Sequence, residues 1–95
     1  MMNPKIIHDA QNHKFYCTIE GKESYLRYFM KDATTIDLRS TYVPHDLRGK
    51  GIAGSIAETA LNFALENNLT VIPTCSYVHY YMQKNDKYKE LITRA

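Results

Sequence analysis

The sequence predicts a single mixed α/β domain, and three observations carry that prediction. Apolar and polar residues alternate with period two through much of the first half of the chain, as in half-buried strands. Beyond Gly51 apolar residues recur at helical spacing, and from Leu69 to Thr74 a short β-branched run returns to strand character. The expected order is an antiparallel strand meander, a helix, a strand parallel to the last meander strand, and short C-terminal helices.

From Lys14 to Glu20, Phe15, Cys17 and Ile19 fall on one side, and Lys14, Tyr16, Thr18 and Glu20 on the other. Glu20-Gly21-Lys22 supplies a glycine turn, and Ser24 to Met30 alternates again through Leu26, Tyr28 and Met30, so the two runs read as a hairpin. After a polar turn around Lys31 to Thr34 comes a third strand ending at Val43-Pro44. In it, Ile36, Leu38 and Tyr42 are expected to face one way and Asp37, Arg39 and Thr41 the other. Lys5 to His8 reads as an added edge strand.

Ile52, Ala53, Ile56, Ala57, Ala60, Leu61, Phe63 and Ala64 share one helical face between Gly51 and Asn67-Asn68, and the asparagines suit a left-handed helix end. Pro73 lacks a backbone donor, so the following strand must be at an edge, bulged or splayed there. Tyr77 to Leu91 reads as one or two short helices broken near Asn85-Asp86. No repeat, low-complexity tract or linker divides residues 1–95.

Composition narrows the function. The net charge of +2 comes from basic residues interspersed with acidic ones, which is no footprint for nucleic acid. No apolar stretch is long enough for a signal peptide or a bilayer span, so the expected compartment is the cytoplasm. There, Cys17 and Cys75 are expected as free thiols. His8, His13, His45 and His79 are dispersed without the paired spacing of zinc ligands, and no metal site is expected.

The informative junction is Val43-Pro44-His45-Asp46-Leu47-Arg48-Gly49-Lys50-Gly51-Ile52-Ala53, where a strand meets the helix through glycines. Such a turn aims unpaired N–H groups outward at the positive end of the helix dipole, and glycines let a pyrophosphate approach closely. A diphosphate ligand suits it; a plain tight turn would use the same glycines. It is not a P-loop, because no Ser or Thr follows the Gly-Lys pair, and it is read as lacking a full Gly-x-Gly-x-x-Gly dinucleotide fingerprint.

Arg48-x-x-Gly51-x-Ala53 resembles the (Q/R)-x-x-G-x-(G/A) acetyl-CoA motif of the GNAT N-acetyltransferase superfamily, preceded by Val43-Pro44 and placed between a strand and a helix as in that family. The later Pro73-Thr74-Cys75-Ser76-Tyr77 is similar to a segment of short GNAT-like proteins that consist of little more than the cofactor-binding core. The resemblance implies a GNAT-like domain across the whole chain. It further implies that Tyr42, Val43, Arg48, Gly49, Lys50, Gly51, Ile52, Ala53 and Ser76 hold acetyl-CoA, with the pantetheine arm between two diverging strands. The helices and strands with which larger members build an acceptor pocket have no counterpart here, so the acceptor site is expected to be open.

By the same resemblance Cys75 lies close to the acetyl group and can take it as a thioester, whereas by residue type alone it is an ordinary buried cysteine. His79, four positions on, shares a helical face with Cys75 and is a candidate base for the thiol proton. In direct attack by an amine a tyrosine would protonate the departing thiolate, and Tyr80 or Tyr81 is the candidate. The readings are therefore an N-acetyltransferase acting on a small-molecule or protein amine, a non-catalytic acetyl-CoA-binding module, and a protein-interaction domain that uses its tyrosines.

Overall fold

The structure, a computed structural model, describes residues 4–92. Strands β1 (Ile7–Asp9), β2 (Lys14–Ile19), β3 (Lys22–Asp32) and β4 (Thr35–Tyr42) form an antiparallel meander, and β5 (Thr70–Ile72) adds to β4 in parallel. Helices α1 (Ile52–Glu66), α2 (Ser76–Gln83) and α3 (Asp86–Lys89) pack with one face of this sheet into a single apolar core. No helix among the described residues is long and apolar enough to cross a membrane.

Local chemistry accounts for the joints. Ile19 pairs with Lys22 across a two-residue loop in which Glu20 and Gly21 have φ of 53° and 76°. This double positive φ matches the right-handed strand twist of a tight hairpin. At the next turn the Asp32 carboxylate accepts bonds from the Thr34 N–H at 2.9 Å and hydroxyl at 3.2 Å. Helix α1 ends on Asn68 at φ 55°, with Leu69 N–H bonding Ala64 O at 2.9 Å and Asn68 N–H bonding Leu65 O at 3.3 Å. These are the paired bonds of a left-handed helix cap, as the two asparagines lead one to expect.

Along β2 to β4 the inward residues are Phe15, Cys17, Leu26, Tyr28, Ile36 and Leu38. Opposite them α1 presents Ile52, Ile56, Ala57, Ala60, Leu61 and Ala64, and its alanines let the helix axis lie close to the sheet. Extra methylenes there would cost about 1–3 kcal/mol through overpacking. The C-terminal helices are tied in by Tyr88, fully buried, whose hydroxyl donates to Asn62 Oδ1 of α1 at 2.8 Å. On the other face, Tyr16, Tyr25, Arg27, Phe29 and Asp37 are half-buried or exposed, so the helices cover one side of the sheet.

Two sequence expectations need correction. The edge strand is Ile7–Asp9, not Lys5–His8, because pairing with β2 runs from Ile7–Tyr16 to Asp9–Lys14 and sets His8 beside the inward Phe15. The His8 ring stacks on Phe15 at 4.3 Å between centroids, meets Phe63 edge-on at 4.6 Å, and places Nε2 2.7 Å from Tyr28 Oη. The second correction is that Tyr42 does not share a face with Ile36 and Leu38. Between the pairs Arg27–Ser40 and Tyr28–Leu38 the residue Arg39 has no partner, a bulge that inverts the alternation. Tyr42 then lies beside Tyr25, ring centroids 5.5 Å apart, and is exposed.

Burial of His8 lowers its pKa, against a smaller opposing effect of Asp9. A folded pKa below the unfolded value of about 6.5 means that acidification favours the unfolded chain, so His8 contributes stability at neutral pH that is lost as pH falls through that value. The melting temperature is expected to drop between about pH 7.5 and pH 5.5. His8→Gln, which removes the titration, should flatten that segment of the curve; an equal slope in both proteins would refute the assignment.

Candidate active site

The loop after β4 is built to end a strand and start a helix without covering the helix end. Pro44 leads into a 3-10 turn, His45–Leu47, anchored by the buried Leu47. Arg48 folds back so that Nε donates to Val43 O at 2.9 Å, and an ion pair between Lys22 and Asp46 fastens the turn to the start of β3. Gly49 at φ 79° and Gly51 at φ 85° occupy the left-handed region that side-chain-bearing residues avoid. Lys50 stands exposed between them.

Gly51 is the N-cap of α1 and no side chain caps it. Ser55 N–H reaches Gly51 O at 3.1 Å, so a helix starting at Ile52 leaves the N–H groups of Ile52, Ala53 and Gly54 without an acceptor from within the helix. They lie at the positive end of a 15-residue helix, an arrangement suited to a phosphate. A cleft of about 250 Å³ opens at this point, lined by Leu47, Gly49, Gly51, Ile52, Gly54 and others. It shares Val43, Arg48, Ala53 and Tyr77 with a neighbouring cleft of about 260 Å³ that extends to Thr41 and Tyr42. The two form one groove from the helix start to the end of β4.

The far end of the groove is made by strand divergence. β4 and β5 pair from Thr35–Thr70 to Asp37–Ile72, while β4 continues beside β3 to Tyr42. Pro73 falls in this gap, where its missing donor leaves no orphan. The chain touches β4 once more, through Cys75 N–H to Leu38 O at 2.8 Å, and Thr74 Oγ1 donates to Asp37 Oδ1 at 2.5 Å. Cys75 then caps α2, 7% exposed, with Sγ 3.2 Å from Thr41 Oγ1.

Of the residues picked out from the sequence, Tyr42, Val43, Arg48, Gly49, Gly51, Ile52 and Ala53 line the groove. Cys75 lies one contact behind it through Thr41. Ser76 is exposed at the start of α2. His79 does lie one turn from Cys75, its N–H bonding Cys75 O at 3.0 Å, but the ring is exposed and its hydrogen-bond neighbour is Gln83, at 3.4 Å. Tyr80 is 56% exposed, with Lys84 Nζ over its ring at 5.1 Å, and Tyr81 packs between Tyr77 and Tyr88.

The tyrosine that lines both halves of the groove is Tyr77, which residue spacing did not single out. Burial raises its pKa, with smaller contributions from Tyr80 and Cys75, so the phenol stays protonated at neutral pH. Strict alternation puts Thr41 on the outer face, and the bulge at Arg39 brings it to the groove instead. The expectation that the dinucleotide fingerprint is incomplete needs correction, because Gly49, Gly51 and Gly54 complete a Gly-x-Gly-x-x-Gly spacing. The spacing opens a strand-helix-strand unit, yet Ile72 to Cys75, where β5 ends, supply no carboxylate of the kind that binds a dinucleotide ribose.

Known proteins resemble this chain in sequence and fold. Residues 14–91 match the sequence model of the GCN5-related N-acetyltransferases, and the chain belongs to that family. It is 34% identical over 83 residues to protein NATD1 of Mus musculus and 32% identical over the same length to protein NATD1 of Xenopus tropicalis. Each of these alignments covers 85% of this chain and 76% of the relative. A GCN5-like protein from Staphylococcus aureus, solved in solution by NMR, superposes with a TM-score of 0.72 at 27% identity, covering 96% of this chain and 89% of that one.

The two groove glycines on either side of the helix start should respond oppositely to alanine. At Gly54 an added Cβ would sit 3.4 Å from Tyr77 Oη and 3.7 Å from Tyr81 Cε2, ordinary contacts, so Gly54→Ala should gain up to about 1 kcal/mol of helix propensity. At Gly51 the positive φ penalises any side chain, and Gly51→Ala should cost about 1–2 kcal/mol. Urea unfolding of the two variants measures both signs.

Proposed function

We propose that this chain is an acetyl-CoA-dependent N-acetyltransferase that binds the cofactor along the groove from α1 to Thr41 and transfers the acetyl group to an amine by way of Cys75. The continuity of that groove, from uncapped helix N–H groups to the gap between β4 and β5, is the observation that carries the reading. Its two ends suit the two ends of one molecule. The N–H groups of Ile52, Ala53 and Gly54, with Arg48 beside them, would take the pyrophosphate, and the edge of β4 beyond Leu38 offers main-chain partners to the amides of the pantetheine arm.

The thioester would then lie where Thr41, Cys75 and Tyr77 converge. In the first half-reaction the Cys75 thiolate bonds to the acetyl carbon, the bond from that carbon to the cofactor sulfur breaks, and Tyr77 gives its proton to the departing thiolate. In the second, an amine attacks the Cys75 thioester, and Cys75 leaves as a thiolate. The proton released by the amine returns Tyr77 to its acid form through solvent.

Acetyl-CoA and CoA are each expected to raise the melting temperature in proportion to the logarithm of their concentration, while adenosine leaves it unchanged. Gly51→Val should remove the shift. If neither CoA nor acetyl-CoA moves the transition at about millimolar concentration, a site of ordinary affinity is excluded.

Acetyl-CoA should label Cys75 and not Cys17, detected by intact mass and peptide mapping. Cys75→Ser is expected to bind CoA with unchanged affinity and to lose transfer to an amine by at least about a hundredfold. Full transfer by Cys75→Ser would instead assign direct attack, and binding without turnover in the wild type would assign a non-catalytic module.

A further inference from the structure

We propose that Thr41 is the positioning residue for the reaction at Cys75: its hydroxyl holds Sγ in place and donates to the sulfur once the thiol is ionised. The proposal rests on the acyl-transfer role of Cys75 given above and adds the group through which β4 would control that thiol.

Three observations place Thr41 there. The Arg39 bulge inverts the alternation of β4, which brings Thr41 to the groove and leaves Tyr42 beside Tyr25 on the outer face. Without the bulge, strict alternation would turn Thr41 away from the core side. The backbone of Cys75 is fixed independently by its N–H bond to Leu38 O at 2.8 Å, so the strand and the start of α2 keep a constant separation at this point. The side-chain contact itself, 3.2 Å between Oγ1 and Sγ, is within the range for a hydrogen bond to sulfur.

A hydroxyl is suited to this place because it can reverse its role. Facing a thiol, Oγ1 accepts from the S–H; facing a thiolate, it rotates and donates its own hydrogen. The thiol proton itself leaves to solvent and does not pass through Thr41. A β-branched side chain has few rotamers on a strand, so the oxygen is fixed at little entropic cost. Cys75 is only 7% exposed, and an ionised sulfur in a residue that poorly hydrated depends on such a donor.

Other groups that act near Cys75 stay constant when the hydroxyl is removed. Tyr77 on α2 interacts with Cys75 through space, and His79, one turn along α2, faces solvent beside Gln83. Asp37 on β4 is engaged by Thr74 Oγ1 and by Arg39 at 3.6 Å, and Arg48 bonds Val43 O. A change seen in Thr41→Val therefore reports the hydroxyl.

The test compares wild type, Thr41→Val and Thr41→Ser. Iodoacetamide alkylation of Cys75 is followed by peptide mapping as a function of pH, together with CoA affinity and the rate of Cys75 acetylation. Thr41→Val, nearly isosteric and favourable in a strand, should keep CoA affinity within about twofold and alkylate about tenfold more slowly near neutral pH, its profile displaced to higher pH. Acetylation of Cys75 should slow by a similar factor, and Thr41→Ser should restore both rates to within about twofold of wild type. Superimposable alkylation profiles for wild type and Thr41→Val would overturn the proposal, as would a Thr41→Ser variant that behaves like Thr41→Val. Loss of CoA binding in Thr41→Val would show that Thr41 acts on the cofactor and not through the sulfur, and would also overturn it. If Cys75→Ser keeps full transfer, the acyl-enzyme reading itself falls and the catalytic role of Thr41 falls with it; the alkylation profiles separate that result from a failure of the hydroxyl to act on the sulfur.

Discussion

The parting of β4 from β5 is the constraint on which the rest of the site depends. Parallel pairing satisfies both strands only as far as Asp37–Ile72, and a last bond from Cys75 N–H to Leu38 O closes the junction. Beyond it β4 still pairs with β3, so one of its edges is satisfied and the other is free. A free strand edge is normally a hazard in a folded protein, because its unpaired groups recruit other chains. Here the edge is short and faces a groove lined by Ala53 and Tyr77.

The bulge at Arg39 and the divergence occur within a few residues of each other. A bulge adds twist and bends the strand that carries it, which turns the end of β4 away from β5 as well as exchanging the faces of the residues that follow. The same local irregularity thus opens the gap and sets the side chain that looks into it. Upstream, regular pairing and the helical face of α1 supply the stiffness. Alanines on α1 keep the helix near the sheet, which in turn keeps the helix N-terminus level with the end of β4. On the far side of α1 the buried hydroxyl of Tyr88, bonded to Asn62, fixes the C-terminal helices against the same scaffold.

Much of this was legible in the sequence because it rests on periodicity. The Phe15-Cys17 and Leu26-Tyr28 alternation, the helical row from Ile52 to Ala64 and the asparagines at residues 67 and 68 each translate into one local geometry. The glycine loop was legible for a similar reason, since Gly49 and Gly51 follow a strand and open a helix. What escaped depended on events that alternation cannot show. Nothing in the residue types of Thr35–Tyr42 announces a bulge, so Thr41 and Tyr42 were assigned to each other's faces. Nothing local marks His8 as a core position, because its ring partners lie on β2, β3 and α1, remote in sequence. Among the tyrosines of α2, Tyr77 stands apart only because α1 lies against it, with Gly54 leaving room for its hydroxyl.

The two cysteines show how position on one scaffold gives two similarly buried thiols different surroundings. Cys17 is fully enclosed on β2, and both its burial and the nearby Glu23 raise its pKa, which keeps it a neutral, apolar core residue. Cys75 is almost as buried, yet its surroundings differ in kind. It stands at the start of an eight-residue helix that no side chain caps, a hydroxyl meets its sulfur, and a groove opens on the far side of that hydroxyl. Burial alone therefore says little about a cysteine. What separates the two is what encloses them: apolar side chains of the core around Cys17, and a hydroxyl, a backbone hydrogen bond to β4 and a helix start around Cys75.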